Sequence, residues 1–141
     1  MGCIGAIGFA VLFNVRPNKL WLIAAASALS WLGYAVCMLL STGVFWAFFC
    51  GTAVAALISE ILARVVKTPV LLLLVPILIP LIPGGDLYHM MSNLVRGQEA
   101  DMLNYARLLL LEAGAIALGI ICVASFMSIL MGLVARSKTY R

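Results

Sequence analysis

An all-α integral membrane protein, one domain with about five spanning segments, is the fold class this sequence predicts, and three observations carry it. Of its 141 residues 65% are hydrophobic and only 10% charged, with a mean hydropathy of +1.18, far from the balance of a soluble domain. At roughly 20 residues per crossing, the chain supplies about five spans and little else. Its nine basic residues sit in short clusters between apolar runs, so the net charge of +4 reports topology, and no nucleic-acid partner is expected. The segments fall at about 1–13, 20–40, 43–63, 68–83 and 102–135, with a short interfacial helix at about 86–97.

The first segment, Met1 to Phe13, reaches only about 20 Å as a helix against a hydrocarbon core of roughly 30 Å. Either its true start lies upstream, or it thins the bilayer, or it packs against a partner. No removable secretory signal is evident, and Ala6 stands where an acylation pattern at Gly2 wants Ser or Thr. Asn14, Arg16, Pro17 and Lys19 form a polar turn before the second segment, Leu20 to Leu40, which carries Trp21, Trp31 and Tyr34. Ser41-Thr42-Gly43 makes an uncharged turn into the third. There Gly43, Ala47, Gly51, Ala55 and Ser59 recur every fourth residue, a smooth face that lets helix backbones approach closely in lipid. The same device recurs as Gly2, Ala6 and Ala10 in the first segment and Ala124, Ser128 and Gly132 in the last.

The fourth segment is written differently. TPVLLLLVPILIPLIPGG has the apolarity of a span but holds prolines at 69, 76, 80 and 83, then Gly84-Gly85. Proline removes a donor and clashes with the preceding turn, so Pro76 and Pro80 should each kink or open the helix, and Pro83-Gly84-Gly85 should end it. Broken backbone at membrane depth survives only inside protein or beside a water-filled cavity. The stretch therefore reads as part of a solute pathway, or else as a span kinked for packing that ends in a surface turn. After it, Asp86 is placed to cap a short helix whose apolar face is Leu87, Met90, Met91 and Leu94. Gln98-Glu99-Ala100-Asp101 starts the last helix, uninterrupted from Met102 to Ala135 and roughly 50 Å long, so its first turns should project into the interface.

If the segments alternate, Arg16, Lys19, Arg64, Lys67, Arg136, Lys138 and Arg141 share one side. By the positive-inside rule that side is cytoplasmic, with the N-terminus outside and the C-terminus inside. A re-entrant fourth segment would move the C-terminal cluster outward.

Few residues carry chemistry. Glu60 and Arg64 stand one turn apart near the cytoplasmic end of the third segment, either as a structural pair or as a proton site or gate. Glu112 lies in a run otherwise uncharged from Arg107 to Ala135, so it should face the protein interior, whether as a coupling or substrate residue or as a structural partner. Gly84-Gly85 at a helix start can offer amides to an anion, although Asp86 would compete for them. His89 has no second ligand at helical spacing, and the four cysteines, at 3, 37, 50 and 122, show no metal spacing. No cofactor is expected. No hydrolase or nucleotide-binding motif is present, so the chain is read as a non-enzyme.

The phrase PILIPLIPGGDLYHMM, preceded by SEILARVVKTPV, resembles the signature of the threonine/serine exporter (ThrE-like) family, in particular its short YjjB-type subunit matching the C-terminal membrane half. GFAVLFNV at 8–15 and IALGI at 116–120 fit the same pattern. The resemblance implies a bacterial inner-membrane exporter of small hydrophilic metabolites, threonine and serine or small dicarboxylates such as succinate. It also implies a YjjP-type partner subunit, with homo-oligomers an open possibility. By position it assigns Pro76, Pro80, Pro83, Gly84, Gly85 and Tyr88 to the motif, with Glu60 and Arg64 from the preceding helix. The alternative from a different class is a membrane scaffold stabilising a partner that carries the pathway. The short first segment departs from the longer family start.

Overall fold

Every regular element among the described residues is helical, as the uninterrupted apolar runs require. The computed structural model describes residues 2–13, 20–40 and 43–139, with side chains at 4–13, 20–40 and 43–132. The polar turn holding Asn14, Arg16, Pro17 and Lys19, the Ser41-Thr42 pair, Arg141 and the side chains of Cys3, Arg136 and Lys138 lie outside these. The order is α1 Gly2–Leu12, α2 Leu20–Leu39, α3 Val44–Val66, α4 Val70–Leu78, a 3-10 turn Ile79–Leu81, α5 Gly84–Val95 and α6 Glu99–Thr139. Three of these, α2, α3 and the Glu99–Gly132 part of α6, are long and apolar enough to cross a membrane, and a fourth crossing is available if the bent pair α4 and α5 counts as one. The 11-residue α1 is too short to cross unaided.

α3 is the central helix, packed against α2, α4 and α6. Its four-residue stripe of small side chains is the reason: Ala47, Gly51, Ala55 and Ser59 are all buried. Gly51 lets α2 and the 3-10 turn close in, since a Cβ there would lie 3.1 Å from both Tyr34 Cβ and Leu81 Cδ2. Ser30 of α2 donates across this contact to Gly51 O at 3.0 Å. The stripe on α1 is used likewise, with Ala6 and Ala10 fully buried against Ile23, Ala26, Ala55, Ala63, Leu73 and Ile77. In α6 the stripe expected at Ala124, Ser128 and Gly132 is exposed, and the helix packs instead through Glu112, Ala115, Gly119, Val123 and Met127. Gly119 explains the choice: a Cβ there would overlap Thr52 Oγ1 and lie 3.1 Å from Phe49 O, so only glycine permits this approach to α3. The outward faces carry Trp21, Leu39, Val65, Leu110 and Ile129, the exterior that a lipid solvent accepts.

The register of these contacts gives directions. Gly119 meets Thr52 and Val123 clusters with Ala56, so α6 runs parallel to α3. The chain between them, α4 to α5, runs back the other way, with Leu81 returning to the level of Gly51. α3 ends on Lys67, in the left-handed region at φ 51°, whose N–H reaches Ala63 O, and Pro69 then prevents continuation.

The break is narrower than the four prolines suggest. Pro76 neither ends nor opens the helix: α4 continues through it, and its ring is buried beside Leu73 and Ile77. The interruption falls at residues 79–83, where Pro80 sits in the 3-10 turn and Pro83 precedes α5, and the two arms meet at 60°. Proline three residues from proline, with glycines after, leaves no run long enough to re-form helix across the bend.

Candidate functional site

A pocket of about 280 Å³ opens at this interruption. One wall is the break itself, Pro80 through Asp86; the facing wall is aromatic, with Trp31 and Tyr34 from α2 and Phe48 from α3; Glu112 of α6 borders it from the third side. Each wall has a sequence cause. Trp31 and Tyr34 are one turn apart on α2, so they share a face, and the Tyr34 ring meets Phe48 edge-on at 4.9 Å. Glu112 opens the buried stripe of α6 that continues at Ala115 and Gly119, so helical periodicity turns it inward.

Glu112 is the chemical feature of the site. It is 3% exposed, and its Oε2 has no hydrogen-bond partner among the described residues. Asp86, from the first turn of α5, lies close enough to interact with the Glu112 carboxyl group. A buried polar atom without a partner is costly, more so at membrane depth, and such groups in membrane helices mark ion and solute sites. The pocket lining holds two carboxylates and no basic side chain.

The start of α5 adds a second pole. Asp86 is not the cap that its place after two glycines suggests. The helix begins at Gly84, with Pro83 at the cap position and no side-chain capping bond, and Asp86 is its third residue. Gly84 N–H turns back to Ile82 O at 2.7 Å, and Leu87 N–H reaches Pro83 O at 3.2 Å. The amides of Gly85 and Asp86 fall between them, where a helix leaves donors open. Neither glycine has anything within 4 Å of where a Cβ would stand.

The structure thus brings together Pro80, Pro83, Gly84, Gly85 and Glu112 of the residues singled out in the sequence, and separates the others. Pro76 is in the core. Tyr88 is 68% exposed and borders a different hollow, with Met91 and Arg96. Glu60 and Arg64 are joined at 2.8 Å, about 18 Å along α3 from Phe48. His89 stacks on Tyr105 of α6 at 5.3 Å. Of the lining residues, Trp31, Tyr34, Phe48, Leu81 and Ile82 went unassigned in the sequence; the turn spacing of the first two was the available signal. The other side of the break is apolar: Ile82 and Pro83 also border a groove of about 760 Å³ between α5 and α6, with Leu87, Met90 and Leu109.

Comparison with known proteins gives one match. The family model described as Threonine/Serine exporter, ThrE, matches residues 1–126, which include every residue of the pocket. No curated protein and no solved structure matches the chain.

Proposed function

The chain belongs to the threonine/serine exporter family, a family of membrane transporters, and from that premise we propose that it is the membrane subunit of a bacterial exporter of small hydrophilic metabolites, with its solute site at the break between α4 and α5. Threonine and serine are the first candidates and succinate the second. The observation that carries the reading is the pocket: a buried glutamate with an unpartnered oxygen and open backbone at a helix break, both bordering one cavity. Discontinuous helices whose ends face a solute at membrane depth are a recurring transporter design.

We place the chain in the inner membrane, N-terminus outside, acting with a YjjP-type subunit that supplies the other membrane half. The long outward apolar faces of α2 and α6 leave room for such a partner. The test is efflux from cells that lack their own exporter, preloaded with threonine, serine or succinate and expressing this chain with and without the partner. Efflux that needs both chains supports a two-component exporter. Efflux from the partner alone, at equal partner abundance, would make this chain a scaffold.

A further inference from the structure

Resting on the orientation proposed above, we propose that Cys37 of α2 and Cys50 of α3 are a modification site. A disulfide donor on the outer side of the membrane oxidises them to a disulfide that ties the outer half of α2, and with it the aromatic wall of the pocket, to α3.

The geometry comes from how closely these two helices pack. A Cβ on Gly33 would stand 3.8 Å from Gly51 Cα, and one on Gly51 would stand 3.1 Å from Tyr34 Cβ. Backbones held this close by small residues bring the side chains of the next turn together too. Cys37 lies one turn beyond Tyr34, and Cys50 directly precedes Gly51, so the register sets the two opposite each other. The Cys50 side chain is hydrogen-bonded to Cys37, and both are half-buried thiols. A disulfide needs Cβ atoms about 3.8 Å apart and Cα atoms about 5.5–6 Å apart. Thiols already in contact across close-packed helices approach that by rotation about their Cα–Cβ bonds.

The fold gives the bond something to hold. The buried residues of α2 are Ile23, Ala26, Ser27 and Ser30, with none beyond, and those of α3 begin at Ala47. The outer half of α2 brings Trp31 and Tyr34 to the pocket wall with no buried side chain to anchor it, and α3 starts after Gly43 with no side-chain capping bond. A tie between residues 37 and 50 stands one turn from the contact of the Tyr34 and Phe48 rings.

Cys37 is two residues from Leu39, where α2 ends. In the proposed orientation that end faces out of the cytoplasm, into the surroundings where disulfides persist. The donor is a disulfide, and the step is exchange. Cys37 Sγ attacks one donor sulfur, and the other leaves with a proton. Cys50 Sγ then attacks Cys37 Sγ in the mixed disulfide, and the second donor sulfur leaves and is protonated. One S–S bond breaks and one forms; the two thiol protons end on the donor, which is reduced as the cysteine pair is oxidised.

The experiment labels the thiols of the full chain in its cells with one membrane-permeant maleimide, reduces it, and labels again with a maleimide of different mass. Mass spectrometry reads the positions, with Cys122, exposed on α6, as the labelling control. The expected result is that Cys37 and Cys50 carry only the second label. Purified wild-type chain, linked with oxidised glutathione, should melt in detergent at least about 5 °C above the same chain reduced. Cys37→Ser should melt alike under both conditions. First label on both cysteines, from cells and after oxidised glutathione alike, would overturn the site. A link that forms with oxidised glutathione but is absent in cells would put this end on the reducing side, overturning the modification together with the orientation it rests on. Equal melting of the linked and reduced wild-type chain would overturn the tie, and that comparison holds even where Cys37→Ser does not assemble. None of these readouts involves efflux, so loss of the site leaves the exporter reading standing.

Discussion

Gly84 and Gly85 separate a role in the pocket from a role in packing. Neither has a positive φ, and an added methyl group at either meets nothing within 4 Å. Alanine there should leave the fold intact and firm up the start of α5, by up to about 1 kcal/mol. Yet both residues line the cavity, and a methyl there would narrow the space proposed for the solute. Gly85→Ala should therefore reduce efflux severalfold with undiminished thermal stability in detergent; equal loss of both would assign the glycines to the fold. The ion pair of Glu60 and Arg64 gives the opposite expectation. Arg64 is 38% exposed, and exposed helix pairs at this spacing contribute about 0.3–0.5 kcal/mol. Arg64→Ala should shift stability by no more than that, measured by thermal denaturation in detergent, and a loss several times larger would mean that the pair secures more than its own turn. Glu112 was legible in the sequence because a lone acid in an apolar run has few places to go. Asp86 was misplaced by three positions because capping preference looks for the first polar residue after the glycines, while the helix here starts on the glycines themselves.

At the scale of elements, glycine has two other uses. α5 ends on Gly97 at φ 72°, where Gln98 N–H reaches Asn93 O at 2.9 Å and Gly97 N–H reaches Leu94 O at 3.2 Å, the paired bonds that close a helix through a left-handed residue. Gly97→Ala should destabilise the turn into α6 by about 1 kcal/mol. Gly119 is a matter of contact instead. Its substitution by alanine forces α6 away from Thr52 and the Phe49 carbonyl, and overpacking of this kind costs about 1–3 kcal/mol. Thermal melting in detergent should rank the two, Gly119→Ala the lower, with Gly132→Ala, which has nothing within 4 Å inside α6, undiminished or slightly raised. A drop for Gly132→Ala would mean that another helix covers that face. Helix positions and the existence of the break could be read from the chain, since runs of apolar residues and prolines mark them directly. The buried face of α6 could not. Lipid and protein interior are both apolar, so hydrophobic periodicity, which finds the inner face of a soluble helix, is silent here. Four-residue spacing of small residues occurs on α6 at 124, 128 and 132 as well as along the side bearing Gly119, and only the partner helix decides between them.

Over the whole molecule the parallel course of α3 and α6 bears on whether the broken segment crosses. Gly119 against Thr52 and Val123 with Ala56 fix the direction, and a chain that leaves the end of α3 must come back to the level of its start before α6 can begin there. α4, the 3-10 turn and α5 make that return along a path of about 35 Å, enough for the hydrocarbon core even with the 60° bend. A re-entrant loop would instead return the chain to the side it left, and α6 would then start beside Lys67. The consequence can be tested without any transport assay. Single cysteines at Lys67 and at Gln98, in a chain whose own cysteines are replaced by serine, should react with an impermeant maleimide from opposite sides: Gln98→Cys in intact cells, Lys67→Cys only after the membrane is opened. These sides follow the proposed topology, in which the positive-inside rule assigns Arg64 and Lys67 to the cytoplasm while Arg96 at the other end is balanced by Glu99 and Asp101. Labelling of both positions from the same side would make residues 70–95 a re-entrant loop, and the pocket at residues 79–86 would then open toward the side on which both cysteines react.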